Sequence, residues 1–273
     1  MGLFNRRKKR GTDETMQYGA KLITVAKPQN PVSEQFRTVK TNIDFTSVDH
    51  QIKALAFTSA NISEGKSTVT VNVAVTMAQA GKKVLLIDAD LHRPTLHQTF
   101  DIPNRVGLTT ILTSHSNEVD MANIVKENII PNLSVMPAGP IPPNPAQLLG
   151  SNRMRAFLNM VKEHYDLVIL DLAPVLEVSD TQILAGEMDG VVLVVRQGVT
   201  QKAGVERAIE MLNLTKTHLL GYVMNDVRTG PDGYGYGYGY GYGYGYGYGY
   251  GYGYGYGYGY DSQKNQPTDL ISS

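Results

Sequence analysis

The chain has 273 residues and no cysteine, with 25 basic and 25 acidic side chains, so its formal net charge is zero. Lack of Cys excludes disulfide frameworks, thiolate metal sites and cysteine nucleophiles, and a neutral overall field gives no long-range attraction to nucleic acid, which is not an expected partner. The longest apolar runs, such as Gly190 to Val195, fall far short of the roughly 18 residues that cross a bilayer, so the chain is not expected to span a membrane on its own.

The N-terminus reads Met1-Gly2-Leu3-Phe4-Asn5 and then Arg6-Arg7-Lys8-Lys9-Arg10, with no apolar stretch behind the charges to act as a signal peptide. Arg6 also breaks the N-myristoylation pattern. Five adjacent cations read either as a solvated tip or as an attraction to anionic lipid, worth about 1 kcal/mol per charge near the surface. Residues 1–30 carry charge, Gly and Pro with little periodicity and read as a flexible lead-in. Pro31 then begins a predicted helix, on which Val32, Phe36, Val39 and Ile43 recur at helical spacing while Glu34, Arg37 and Lys40 mark another face.

Beyond it, short β-branched runs alternate with helical stretches. The predicted strands are Ala54–Thr58, Val84–Asp88, Leu133–Met136, Leu167–Asp171, Val191–Val195 and Leu219–Met224, several apolar throughout as parallel strands buried on both faces are. Helices are predicted over Lys66–Gln79, Arg153–His164, Thr181–Glu187 and Lys202–Leu212. This alternation predicts an α/β fold, a doubly wound and mostly parallel sheet flanked by helices, with ligands at the carboxyl ends of the strands.

Order is expected to fade after Val227, because Thr229-Gly230-Pro231-Asp232-Gly233 is dense in turn formers. From Gly233 to Tyr260 Gly and Tyr alternate without a break, which places 14 of the 17 tyrosines in one low-complexity segment before the polar terminus Asp261 to Ser273. The expected division is a flexible basic segment at 1–30, a folded domain at 31–228 and a disordered tail at 229–273. Taken alone, the repeat suits an adhesive aromatic tether as well as a row of phenolic hydroxyls offered to a modifying enzyme.

Upstream residues bear on that choice. Thr58-Ser59-Ala60-Asn61-Ile62-Ser63-Glu64-Gly65-Lys66-Ser67-Thr68 stands between a predicted strand and a predicted helix, the setting of a phosphate-binding P-loop. In such a loop the backbone N–H groups and the positive helix end cradle phosphates, the Lys reaches the outer phosphates and the first hydroxyl ligates Mg²⁺. Ser63, Glu64, Gly65, Lys66, Ser67 and Thr68 are therefore candidate nucleotide ligands, although Ala60 replaces the usual leading Gly. Two further strands end in carboxylates, at Asp88 with Asp90 and at Asp171. Each could be a helix cap; three facing a P-loop across a parallel sheet are better explained as a Mg²⁺ and phosphoryl-transfer site, because a hard cation bound to ATP takes oxygen ligands.

These segments resemble the three nucleotide motifs of the bacterial tyrosine kinases of capsule and exopolysaccharide synthesis: the P-loop, an Asp88-Ala89-Asp90 strand end followed by Arg93-Pro94, and a third strand end at Asp171. The likeness runs from about Pro31 to Val227, taking in the Gly139–Leu149 loop and, on the first helix, Glu34, Arg37, Lys40, Asn42 and Ile43, which match the family's oligomerisation motif. Two departures bear on loop shape. Asp171-Leu172-Ala173-Pro174 lacks the first of two prolines, and Ser63 stands where Gly is frequent. The Min/Par partitioning ATPases carry a signature Lys early in the P-loop, where this chain has Asn61, and no eukaryotic kinase signature is present.

The resemblance implies a P-loop NTPase fold, ATP and Mg²⁺, and attack by a tyrosine hydroxyl on the γ-phosphate. Lys66, Asp88 and Asp90 are the expected catalytic residues, with Asp88 favoured over Asp90 as base; Ser67, Asp88, Asp90 and Asp171 are the expected metal ligands, and Asn225 lies on the adenine side. It further implies autophosphorylation of the tail between subunits of a ring-like oligomer that phosphorylation dismantles, protein tyrosine substrates, and a cognate tyrosine phosphatase. A transmembrane adaptor of polysaccharide chain-length type would hold this cytoplasmic chain at the inner face of the cell membrane. A non-kinase P-loop ATPase switch and a structural scaffold with an adhesive tail are the competing readings.

Overall fold

The computed structural model describes residues 18–46, 51–114 and 121–227. The basic run Arg6–Arg10, the turn-rich Thr229–Gly233, the Gly-Tyr repeat and the terminus from Asp261 lie outside the described residues. Among the described residues seven strands, β1 (Ala54–Ser59), β2 (Val84–Asp88), β3 (Lys126–Ile130), β4 (Leu133–Met136), β5 (Leu167–Asp171), β6 (Gly190–Arg196) and β7 (Leu219–Asn225), form one sheet. Their order is β3-β4-β2-β5-β1-β6-β7, and every neighbouring pair is parallel except β3 with β4.

The strand period of two explains why the core is double. β1 sends Ala54 and Ala56 to one face and Leu55 and Phe57 to the other, and β2 splits Leu85 and Ile87 from Val84 and Leu86 in the same way. All eight side chains are fully buried, which is why these strands read as unbroken apolar runs. The helices Leu108–Thr113, Pro145–Leu149, Asn152–His164, Asp180–Ala185 and Lys202–Leu214 supply the core of one face. The helices Pro31–Thr46 and Lys66–Gln79 cover the other.

Lys66–Gln79 is rich in β-branched residues, which have modest helix propensity, so packing rather than propensity holds it. Val69, Val71, Val73, Val75 and Met77 are all buried, because the helix lies between the sheet and the Pro31–Thr46 helix. A helix enclosed in this way is apolar on nearly every side.

The structure departs from the sequence expectation at three places. Residues 18–30 are not a loose lead-in: they include a helical turn at Ile23–Ala26 and bury Ala20 and Thr24. Asn72 secures them, accepting from the Thr24 N–H at 3.1 Å and its hydroxyl at 2.9 Å while donating to the Lys21 carbonyl at 2.8 Å. On the next helix Phe36 and Ile43 are buried as expected, but Val32 is exposed and Ser33 is inside. The Ser33 hydroxyl donates to the carbonyls of Lys27 and Ile23, which makes its burial affordable. Finally, β3 is an antiparallel edge strand outside the expected set, half exposed and irregular in register; an edge needs no apolar run.

Candidate active site

β2, β5 and β1 lie side by side in the sheet, and all three end at the same edge. β1 runs into the loop that opens the Lys66–Gln79 helix. Gly65, immediately before that helix, has φ +86°, a left-handed conformation that favours glycine, and a Cβ there would displace the Asn225 side-chain amide. Ser63 has φ +61°, which is the physical reason Gly is common at its position: a left-handed conformation costs a residue with a Cβ about 1–2 kcal/mol.

Side chains from neighbouring elements brace the loop. Glu64 is 1 % exposed; its carboxylate accepts from the Asn61 N–H at 3.1 Å, from Asn61 Nδ2 at 3.3 Å and from the Thr200 hydroxyl at 2.8 Å. Asn225 Nδ2 donates to the Glu64 carbonyl at 3.0 Å, and Arg196, paired with Asp226, donates to the Ser63 carbonyl at 2.9 Å. The Glu64 side chain is thus committed to shaping the loop.

Lys66 points into the sheet edge. Its Nζ lies 2.8 Å from Asp171 Oδ1 and 3.5 Å from Asp90 Oδ2, and the Ser67 hydroxyl is 3.4 Å away. Burial alone would lower its pKa, but the charges of Asp171 and Asp90 outweigh it and the net direction is upward. Lys66 is therefore a cation. Thr70, one turn on, donates to the same Asp171 oxygen at 3.1 Å, while Thr68, half-buried, completes the first turn of the helix.

Asp88 and Asp171 are register partners on β2 and β5, and both are fully buried. Asp88 Oδ2 accepts from the N–H groups of Thr95 and Leu96, each at 2.9 Å, whereas Asp88 Oδ1 and Asp171 Oδ2 have no hydrogen-bond partner among the described residues. Burial pushes the Asp88 carboxyl up to about 8, and the charge of Asp171 adds to this, against the opposing pull of the Leu96 N–H. Asp90 Oδ1 accepts from the N–H groups of Arg93 at 2.9 Å and His92 at 3.3 Å.

Two buried, unpartnered carboxylate oxygens beside a serine hydroxyl are the donor set a hard cation takes. Among the described residues no three acidic or histidine side chains converge into a self-contained cation cage. Mg²⁺ needs none, since it keeps several waters and is completed by substrate phosphates. The residues present fit the ion.

This geometry can be compared with known proteins. An AAA-domain family profile matches residues 52–222. The tyrosine-protein kinase YwqD of Bacillus subtilis is 47% identical over 204 residues, which cover 75% of this chain and 85% of the relative. The chain belongs to the bacterial tyrosine-protein kinases. The tyrosine kinase likeness extends to CapB of Staphylococcus aureus, described as a putative tyrosine-protein kinase, at 38% identity over 73% of this chain and 86% of that one. In three dimensions the kinase domain of the Escherichia coli tyrosine kinase ETK superposes with a TM-score of 0.73 at 29% identity, covering 86% of this chain and 89% of that chain.

Of the residues singled out for this kinase from sequence, Lys66, Ser67, Asp88, Asp90 and Asp171 come together at one sheet edge. Asn225 stands apart from them, against the outer wall of the loop. The braces Thr70, Arg196 and Thr200 carry no motif, and only the fold brings them in. Ala173, in the departure from the third motif, has its carbonyl held by the hydroxyls of Thr58 and Thr181, both at 2.8 Å.

Proposed function

We propose that this tyrosine kinase phosphorylates the tyrosines of its own Gly233–Tyr260 repeat, one subunit acting on the tail of another, and that this regulates capsular or exopolysaccharide synthesis. The observation that carries the reading is the Lys66–Asp171–Asp90 cluster beside Asp88, with its two unpartnered buried oxygens, in a chain that supplies 14 tyrosines in one run.

When bound, Mg²⁺ would neutralise charge on the transferring phosphoryl group. Ser67 and Asp171 would hold that ion directly or through water, Asp88 and Asp90 would divide its orientation and proton acceptance, and the loop amides with Lys66 would hold the nucleotide's phosphates. The phenolic oxygen forms the new bond to the γ-phosphorus, the bond to the β-phosphate oxygen breaks, and Asp88, its own proton displaced when the cation binds, receives the phenolic proton. Against a phenol of pKa near 10, an ordinary Asp near 4 would leave full proton transfer uphill by roughly 8 kcal/mol. The proton therefore moves late, in keeping with a loose transition state in which positioning dominates.

The exposed Glu34–Arg37 pair and Lys40 lie on the Pro31–Thr46 helix, where they could bring subunits side by side in a ring-like homo-oligomer. Fully extended, residues 233–260 would reach on the order of 90 Å at about 3.3 Å per residue, enough to enter a neighbour's site. No helix among the described residues is long and apolar enough to cross a membrane. A transmembrane adaptor would hold this cytoplasmic chain at the membrane, and a tyrosine phosphatase would remove the phosphates.

Labelled ATP tests the reading. Label on tyrosine, lost in Lys66→Ala, supports a kinase; released phosphate with an unlabelled tail would indicate an ATPase switch. Mixing the Lys66→Ala chain with an active chain lacking residues 233–260 tests transfer between subunits, because only the inactive partner then carries acceptors.

A further inference from the structure

We propose that His92, oriented by the buried carboxylate of Asp180, positions the hydroxyl of the acceptor tyrosine in a cleft beside Asp90; this rests on the tyrosine-kinase reading above. His92 Nε2 lies 2.8 Å from Asp180 Oδ2, with the imidazole 38% exposed and the carboxylate side chain 3% exposed. The carboxylate accepts from Nε2–H, so in the neutral ring Nδ1 presents a lone pair. Among the described residues no hydrogen bond engages Nδ1. A ring fixed at one nitrogen by a buried acid, with the other nitrogen available, is built to accept a hydrogen bond from an incoming O–H as the acceptor docks, before that O–H turns to Asp88 for transfer.

The surroundings identify that O–H group. His92 lines a cleft of about 670 Å³ together with Pro143, Pro145, Gln147, Glu177 and Asp180, a volume that takes an aromatic side chain with flanking backbone. Both walls are tied to the phosphoryl-transfer centre. The N–H groups of His92 and Arg93 donate to Asp90 Oδ1, whose other oxygen faces Lys66. The opposite wall is anchored where Thr181, next to Asp180, shares the Ala173 carbonyl with Thr58.

Charge decides between the two substrates. Among the described residues no Lys or Arg lines the cleft, whereas Glu177 and Asp180 do, so it disfavours a nucleotide's phosphates and admits a neutral phenol. The flat faces of Pro143 and Pro145 suit an aromatic ring. Once the hydroxyl is phosphorylated, its added charge of about −1.5 to −2 faces the same carboxylates, which favours release of the product.

The test is steady-state kinetics of the full chain with a synthetic Gly-Tyr-Gly-Tyr-Gly peptide as acceptor. Loss of one hydrogen bond in His92→Ala is expected to raise KM for the peptide about five- to tenfold while leaving KM for ATP within about twofold. His92→Asn, which returns an acceptor near Nδ1, is expected to recover part of the loss, and Asp180→Ala, which frees the ring, to show a smaller rise. Equal changes in both KM values, or none, would overturn the assignment. If the unsubstituted chain places no phosphate on the peptide or on its own tyrosines, the kinase reading itself fails, and the proposal with it.

Discussion

Asp88 and Asp171 stand opposite one another on adjacent parallel strands, both fully buried, and each leaves one carboxylate oxygen without a hydrogen-bond partner among the described residues. Lys66 compensates Asp171 directly at 2.8 Å, and Asp88 meets the remaining repulsion by holding a proton. The site is arranged for a positive charge that the protein alone supplies only in part, which is the state expected of a cation and nucleotide site before loading.

The Asp88 proton predicts a pH dependence. An unfolded Asp ionises near 4, whereas the folded side chain does so near 8. Between these values the folded chain retains a proton that the unfolded chain has lost, so the Mg²⁺-free protein is expected to lose stability as pH rises, by about 1.4 kcal/mol per unit at most. Asp88→Asn has no such proton to lose. Its Tm should gain on the parent's from pH 5 to pH 8, measured by calorimetry in chelator; a constant difference would count against the raised pKa.

Lys66→Ala removes the charge shared by Asp171 and Asp90. Breaking a buried pair on one side is worth roughly 3–5 kcal/mol, so Tm should fall, and saturating Mg²⁺ should recover part of the loss by entering between the carboxylates. Tyrosine phosphorylation should drop by at least about 100-fold even where the variant remains folded. Thermal melts with and without Mg²⁺, paired with kinase rates, separate the two effects.

What the chain disclosed in advance depended on range. Strands such as Val84–Asp88 were legible because burial on both faces leaves no polar position to interrupt them, and Lys66 with its carboxylates was legible because each stands at a strand end. Thr200 and Arg196 were not, since they brace the loop from 136 and 133 residues away. The short helices Leu96–Thr99 and Met121–Ile124 span little more than one turn, too little for a 3.6-residue period to register. Residues 20–24 failed for another reason: the polar partner that buries Thr24 is Asn72, on a distant helix.

Ser63→Gly should stabilise the loop. The left-handed backbone at φ +61° is strained for Ser and open to Gly, while added unfolded-state entropy returns part of the gain. A net gain of about 0.5–1 kcal/mol is expected, raising Tm by roughly 1–4 °C with kinase activity retained. A lower Tm would show that contacts of the serine outweigh the strain.

Thr200→Val removes a hydroxyl that donates to Glu64 Oε1 at 2.8 Å and accepts from the Arg196 N–H at 2.9 Å. The buried Glu64 carboxylate would keep only its Asn61 contacts, at a cost of about 1–3 kcal/mol. Because Glu64 shapes the loop without being offered to the nucleotide, KM for ATP should rise several-fold with kcat less affected. Equal KM values in parent and variant would separate Glu64 from nucleotide affinity.

The repeat makes the last prediction one of accumulated charge. Each phosphotyrosine adds about −1.5 to −2, so full modification of the 14 tyrosines would place roughly −21 to −28 on one segment. Neighbouring acceptors are two residues apart, about 7 Å in an extended chain and inside a Debye length of about 8 Å. Tails gathered around a ring would then repel themselves and one another, and because the hydroxyls are interchangeable the effect should grow with occupancy. Light scattering during ATP treatment, with intact-mass spectrometry of the same samples, should show the assembly losing mass progressively as phosphates accumulate. An assembly that keeps its mass at high occupancy would mean that charge on the tail does not govern it.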